Sequence, residues 1–299
     1  MLPENWTFIA NPISGRGRAL KILPQLLDSL RDSGINSSVE WTTGAGQAEA
    51  IASRVVGNGS HSIIACGGDG TIHEIVNGIM KSKQNHSVNF GIIPLGRCND
   101  FASTFQIPKN PPEIIRYLLR KKTRMVDLGR VNDRFFTTVA TLGFDSEVNQ
   151  FVSSRSSPLF KRGTLAYVYG IFASLFRYQD VWVSLKGDFG EFNGKIFLAA
   201  TANTPTYAGR MRVAPTALVD DGYLDICLVN SVSRLQVLRM LPKVFSGGHT
   251  SHPAVSMLRV SQLEIEANEN LLICADGEPI TKTPATIEIV PGALQVLVP

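Results

Sequence analysis

The segment Cys66-Gly-Gly-Asp-Gly-Thr-Ile-His-Glu74 gathers small residues, an acid and a hydroxyl within a few positions. An apolar run, His61 to Cys66, leads into it and reads as a short buried strand. Behind it, Ile72, Ile75, Val76 and Ile79 recur on one face of a helix over Thr71–Met80. The glycines therefore mark a strand-to-helix turn, where a backbone can approach a phosphate and helical N–H groups point outward unpaired. Asp69 sits inside this turn. A carboxylate repels a bare phosphate, so it points to Mg²⁺ between acid and phosphates. Strand, Gly-Gly-Asp-Gly-Thr, helix is a pattern for a nucleoside triphosphate with its metal.

Such a turn needs a sheet to hold it. Over the first 125 or so residues, strand-like runs (Thr7–Ala10, Ser37–Trp41, His61–Cys66, Phe90–Ile93) alternate with helical ones (Arg18–Arg31, Gln47–Val56, Thr71–Met80, Phe101–Phe105, Pro112–Lys121). That alternation predicts an α/β domain with a mostly parallel sheet. After Met125 short strands dominate: Phe135–Thr141, Val181–Leu185, Lys195–Ala202, Gly222–Val229, Leu258–Ala267, Leu271–Cys274, Ala285–Val290 and Leu294–Val298. Helices at Gly163–Arg177 and Ser233–Phe245 interrupt them. Many strands between turn residues predict a β-sandwich, so the domains are 1–125 and 126–299.

Composition narrows the function classes. A chain of 299 residues, 44% hydrophobic and 18% charged, buries a sizeable core. The net charge of +4 admits an anionic partner, but no Lys/Arg block defines a nucleic-acid groove. The cluster Arg120-Lys-Lys-Thr-Arg124 reads as a solvated turn. Cys66, Cys98, Cys227 and Cys274 are scattered without metal spacing, as expected of reduced thiols in a cytosolic protein. The start of the chain has no signal-peptide character. The longest apolar stretch, Leu165–Phe176, is 12 residues and too short to span a bilayer. The five histidines form no metal set: His73 is expected to face solvent or phosphate, His249 and His252 the surface. No Gly-x-Ser-x-Gly elbow supports a hydrolase, and neither GxGxxG nor GxxxxGK[ST] is present.

Three further loops follow strand ends on the same edge of a parallel sheet: Asn11-Pro-Ile-Ser-Gly-Arg-Gly17, Trp41-Thr-Thr-Gly44 and Pro94-Leu-Gly-Arg-Cys-Asn-Asp-Phe101. Each alone is an ordinary turn; together with Gly-Gly-Asp-Gly-Thr they make a nucleotide site. NPxSG, GGDGT and PLGxxNDFA, in that order, resemble the diacylglycerol kinase catalytic-domain family, and most of all its bacterial lipid kinases. Gly143-Phe-Asp145, the stretch Ala214–Asp225 and Asp276-Gly-Glu-Pro279 are similar to later blocks of the family, so the likeness spans nearly the whole chain.

The resemblance implies a fold in which an α/β domain of NAD kinase/diacylglycerol kinase type binds ATP, a C-terminal β-sandwich completes the cleft, and a lipid hydroxyl enters between them. The last ten or so residues would return to the first domain. Carried over, the ATP contacts are Asn11, Pro12, Ser14, Gly15, Thr42, Gly68, Asp69, Gly70, Thr71 and Glu74, with Asp69 at the catalytic Mg²⁺. Arg97 stands where relatives commonly have Thr; it either bonds a phosphate or fills the pocket, and guanidinium chemistry favours the first. The family assigns the base to Asp276-Gly-Glu-Pro279, which makes Glu278 the first choice and Asp276 the second; alone, these residues read as a hairpin turn. A second Mg²⁺ site away from the chemistry would use Leu218, Asp221 and Tyr223.

The apolar helix Gly163–Arg177 is read as buried on the sandwich. Its alternative reading is a wall that guides an acyl chain, with Lys161, Arg162 and Arg177 at anionic headgroups. The expected protein is an ATP- and Mg²⁺-dependent lipid kinase, cytoplasmic and peripheral at the inner membrane surface, with a homodimer left open. NAD kinase-like transfer to a non-lipid alcohol and a non-catalytic nucleotide- or lipid-binding protein are the alternatives.

Overall fold

The computed structural model describes residues 5–82, 88–153 and 164–299. It divides into two units, residues 1–126 with 292–299 and residues 127–291. The first unit runs β1 (Asn5–Ala10), a short 3-10 turn (Ser14–Arg16), α1 (Arg18–Asp32), β2 (Asn36–Trp41), α2 (Gln47–Gly57), β3 (Ser62–Gly67), α3 (Asp69–Met80), β4 (Asn89–Pro94), α4 (Asp100–Thr104) and α5 (Pro111–Arg120). The second holds most of β5 (Thr123–Val131), then β6 (Arg134–Phe136), β7 (Val139–Gly143), α6 (Phe144–Ser153), α7 (Thr164–Leu175), β8 (Val181–Gly187), β9 (Gly190–Ala202), β10 (Leu224–Asn230) and α8 (Arg234–Val244). It ends with β11 (Val255–Val260), β12 (Gln262–Ala267), β13 (Leu272–Ala275), β14 (Glu278–Lys282) and β15 (Ala285–Leu297).

In the first unit the order is β15-β4-β3-β1-β2, and every recorded pairing is parallel. The end of β15 supplies the outer strand through Gln295 and Val296 opposite Asn89 and Phe90. Strand β3 is buried at all six positions. That is why Ser-Ile-Ile-Ala-Cys-Gly shows an apolar run without alternation: helices cover both faces of a parallel sheet. Helix α1 turns Ala19, Leu23, Leu26 and Leu30 to the core at helical spacing.

The second unit is an antiparallel β-sandwich. Strands follow the order β14-β13-β7-β9-β8-β12-β15, with β10 paired to β9 and β11. Alternation along β10 divides its side chains between two cores. Leu224, Ile226 and Leu228 enter the cluster formed by the sandwich strands; Cys227 and Val229 enter one that also holds residues of α6, α7 and α8.

Two runs read as single strands are broken. Phe135–Thr141 becomes β6 and β7, and Leu258–Ala267 becomes β11 and β12, which pair with different neighbours on either side of Ser261. Conversely, Ala285–Val290 and Leu294–Val298 are one strand, β15. His73, expected to face solvent or phosphate, and His249, expected at the surface, are each only 3% exposed. The Asn77 side-chain amide lies 3.5 Å from the His73 ring, and His249 Nε2 lies 3.2 Å from the Val213 carbonyl.

Candidate active site

In the first unit, Gly68 is the residue before α3, and Asp69, Gly70 and Thr71 form its first turn. The acid read as part of the loop is therefore already helical. Its carboxylate has a definite job: Oδ2 accepts the Asn99 N–H and Oδ1 the Asp100 N–H, both at 2.8 Å. Asp69 thus ties the Pro94–Phe101 loop to the start of α3. Glu74 does the same for another loop, accepting the Gly46 N–H and the Ala48 N–H at 2.9 Å each. Two residues read as nucleotide contacts thereby shape the backbone around the pocket between these loops.

The loops meet at glycines. A Cβ on Gly96 would lie 2.4 Å from Gly68 Cα, and one on Gly15, whose φ is +58°, would lie 2.6 Å from the Leu95 carbonyl oxygen. Only hydrogen fits at such approaches. Asn11 accepts the Ile13 N–H on its side-chain oxygen at 3.1 Å, and its own N–H reaches the Cys66 carbonyl at 3.0 Å, which joins NPxSG to the end of β3.

The result is a pocket of about 590 Å³ that brings together Asn11, Pro12, Ser14, Thr42, Gly70, Thr71 and Glu74. The size suits a small-molecule site. The helix α3 presents N-terminal amides to an anion there. Gly15, Gly68, Asp69 and Arg97 do not line it. The first three build its loops, while Arg97 is exposed and has no ion-pair partner among the described residues. Beside it, burial and the charges of Asp100 and Asp69 push the Cys98 thiol up to about 12, so it is an inert thiol at neutral pH.

In the second unit, Asp276 and Gly277 have φ of +52° and +84° and connect β13 to β14, the geometry of an Asp-Gly hairpin. The hairpin reading of this turn is therefore correct, and the two acids on it differ. Asp276 accepts the Thr137 N–H at 2.9 Å, the Thr138 N–H at 2.8 Å and the Thr138 hydroxyl at 2.6 Å. Its carboxylate anchors the stretch between β6 and β7. Glu278, at the start of β14, is exposed.

Asp145 received no role from the sequence, although it stands in the Gly143-Phe-Asp145 block. It lies in the first turn of α6 and is 3% exposed. The Tyr207 hydroxyl donates to its Oδ1 at 2.6 Å and the Asn149 amide to its Oδ2 at 3.3 Å. Burial pushes its carboxyl up to about 6, with those hydrogen bonds pulling the other way. The Cys274 thiol senses the negative charge of both Asp145 and Glu278, and burial raises it to about 12. Asp145 and Tyr207 are polar members of a pocket otherwise lined by side chains such as Phe144, Ile171, Phe197, Met211 and Met240. Only chain separation hid this site: its hydrogen-bonded pair is 62 residues apart in sequence.

The second Mg²⁺ site is expected to use a carboxylate with backbone carbonyls near Leu218, Asp221 and Tyr223. The Asp221 carboxylate already has a cationic partner, the Arg259 guanidinium, which also lies 4.5 Å from the centre of the Tyr223 ring. The other Asp221 oxygen accepts the Tyr223 N–H at 3.1 Å. Among the described residues no cluster of three or more His, Cys, Asp or Glu could hold a metal.

The diacylglycerol kinase catalytic domain model matches residues 5–131, and the YegS C-terminal NAD kinase beta sandwich-like domain model matches residues 138–298. A diacylglycerol kinase of Mycobacterium tuberculosis is 33% identical over 98% of this chain and 94% of its own length. One from Staphylococcus epidermidis is 29% identical over 97% and 91%. A crystal structure of a diacylglycerol kinase from Bacillus anthracis superposes with a TM-score of 0.76 over 100% of this chain and 98% of that one, at 20% identity, which speaks for the fold. With both halves matched in order around these loops and turns, the chain belongs to the diacylglycerol kinase catalytic-domain family of lipid kinases.

Proposed function

We propose that the protein transfers the γ-phosphoryl group of ATP to a hydroxyl of a lipid such as diacylglycerol, presented at a membrane surface. The lipid half of this reading is supported first by the match to diacylglycerol kinases, and second by an apolar cavity of about 80 Å³ in the second unit, room for a short piece of acyl chain, with Asp145 and Tyr207 among its polar lining. Acyl carbons suit the walls, and a hydroxyl or ester suits the carboxyl–phenol pair. The ATP half rests on the glycine-built pocket of the first unit and the open amides of α3.

Glu278 takes the proton of the lipid hydroxyl as its oxygen bonds to the γ-phosphorus, while the bond to the β–γ bridging oxygen breaks and ADP leaves. Such a reaction depends mainly on positioning and charge neutralisation. Arg97 supplies one positive charge for the phosphates, and Asp276 holds the turn that presents Glu278. Mg²⁺ would come with the triphosphate and offset the charge that builds on the leaving phosphate. Asp69, the acid expected to hold it, has both oxygens on the Asn99 and Asp100 N–H groups and lies outside the pocket lining, so its part is to shape the loop.

The test is transfer of labelled γ-phosphate from Mg²⁺–ATP to a panel of lipid alcohols in mixed micelles, with NAD among the acceptors and Glu278→Gln as blank. A labelled lipid, absent in the blank, is expected. Label on NAD alone, or ATP binding with no transfer at all, overturns the reading.

A further inference from the structure

The outer faces of α7 and α8 carry exposed apolar side chains that nothing above uses. Tyr169, Phe172 and Phe176 are 52%, 45% and 63% exposed. Their spacing places them on one stripe along α7 and just past its end. The opposite side, with Ile171 and Leu175, is buried, and Ile171 lines the apolar pocket. Helix α8 is divided in the same way. Val237, Met240, Leu241 and Val244 line the pocket, while Leu235, Arg239 and Lys243 are exposed. The two outer faces adjoin, because Arg234 donates to the Phe176 carbonyl at 2.8 Å and its guanidinium lies 5.9 Å from the centre of that ring.

Charge singles out the partner. Residues 164–177 and 231–247 include Arg177, Arg234, Arg239 and Lys243 and no Asp or Glu. Asp180, just beyond α7, accepts the Ser231 hydroxyl. Aromatic rings beside arginines, with no acid between them, suit the boundary between headgroups and acyl chains of an anionic bilayer. No described helix is long and apolar enough to cross a membrane, so contact through helices is lateral.

We propose that the outer faces of α7 and α8 dock on an anionic phospholipid bilayer, so that the helices touching the membrane are the ones that wall the apolar pocket. A lipid then leaves the bilayer beside the pocket that receives it. The pocket's role rests on the lipid-kinase reading; the docking does not.

The experiment is flotation of the full chain with vesicles of phosphatidylcholine plus phosphatidylglycerol, against pure phosphatidylcholine. The variant combines Phe172→Ser, Phe176→Ser and Arg239→Glu, all at exposed positions. The protein is expected to float with the mixed vesicles and to be released by salt. The variant should lose about tenfold or more of that binding. Its thermal midpoint, and its turnover of a diacylglycerol short enough to dissolve in water, should stay those of the parent. No binding by the parent, or equal binding by the variant, overturns the proposal. So does a dimer, seen by sedimentation, that the variant abolishes, since the face would then be a subunit interface. If the soluble diacylglycerol is not phosphorylated by either protein, the kinase reading fails, and flotation alone still decides the docking surface.

Discussion

Asp69 and Glu74 in the first unit each hold two backbone amides, whereas Asp145 and Glu278 in the second hold none that the structure records. In the proposed reaction, acids beside a polyphosphate would serve better by shaping the loops around it than by facing it, and an acid beside an alcohol would have to be left able to take a proton. Asp276, in the second unit, works in the manner of the first-unit acids, holding the Thr137 and Thr138 N–H groups.

Exchanging the charges should expose this division. The largest effect is expected from Glu278→Gln, which should lower turnover by about 10²–10⁴-fold, the worth of a general base, with ATP affinity and melting temperature unchanged. Normal turnover would remove Glu278 from the reaction. Asp276→Ala should reverse the pattern and cost about 3 kcal/mol in denaturant unfolding, because the buried Thr137 and Thr138 groups lose a charged acceptor. A variant as stable as the parent would return Asp276 to the list of candidate bases. Gly96→Ala breaks the first unit through backbone alone. With Gly68 Cα 2.4 Å from the new Cβ, the two loops must part. ATP binding should weaken at least about tenfold, with roughly 1–3 kcal/mol of stability lost.

Asp145 gives a pH-dependent version of the same test. Its folded-state carboxyl titrates near 6 against an ordinary 3.8, so the folded chain holds that proton more tightly. The associated stability is fully present below about 4 and lost as pH rises through 6. Asp145→Asn removes the titration. The variant should gain on the parent by about 3 kcal/mol between those limits, the gap widening as pH rises. A gap independent of pH would show that Asp145 is solvated.

What the sequence made legible was whatever lies close together along the chain. The β1–β4 alternation, the glycine turns and the amphipathic α1 are local patterns, and they place the four loops read as a nucleotide site on one edge of a parallel sheet. Strand β5 escaped because the charged run Arg120–Arg124 overlaps its start. The second unit depends on contacts between distant segments. The Asp276–Thr137 clamp spans 139 residues, and no periodicity announces it. His249 is buried by elements that pack on it from elsewhere in the chain, which residue type alone does not foretell. Lys161, Arg162 and Gly163 lie outside the described residues, as do the side chains of Leu165, Tyr167 and Val168, so the side chains of that helix are described only from Tyr169 on.

The smallest effect concerns Asp221. The family resemblance implies an oxygen site for a hard cation at the Asp221 carboxylate, but the cation facing it here is Arg259. The pair is partly exposed, with side chains 52% and 21% accessible for Arg259 and Asp221, so its own worth is small. Asp221→Asn should therefore cost no more than about 1 kcal/mol and should leave the Mg²⁺ dependence of phosphoryl transfer where the nucleotide sets it. The measurement is a thermal melt with and without Mg²⁺ in the absence of ATP. If Mg²⁺ raises the midpoint of the parent but not of the variant, the ion displaces the guanidinium and the second unit has a metal site after all. If it raises neither, Arg259 is the resident cation, and Asp221, like Asp69 and Glu74, serves the fold.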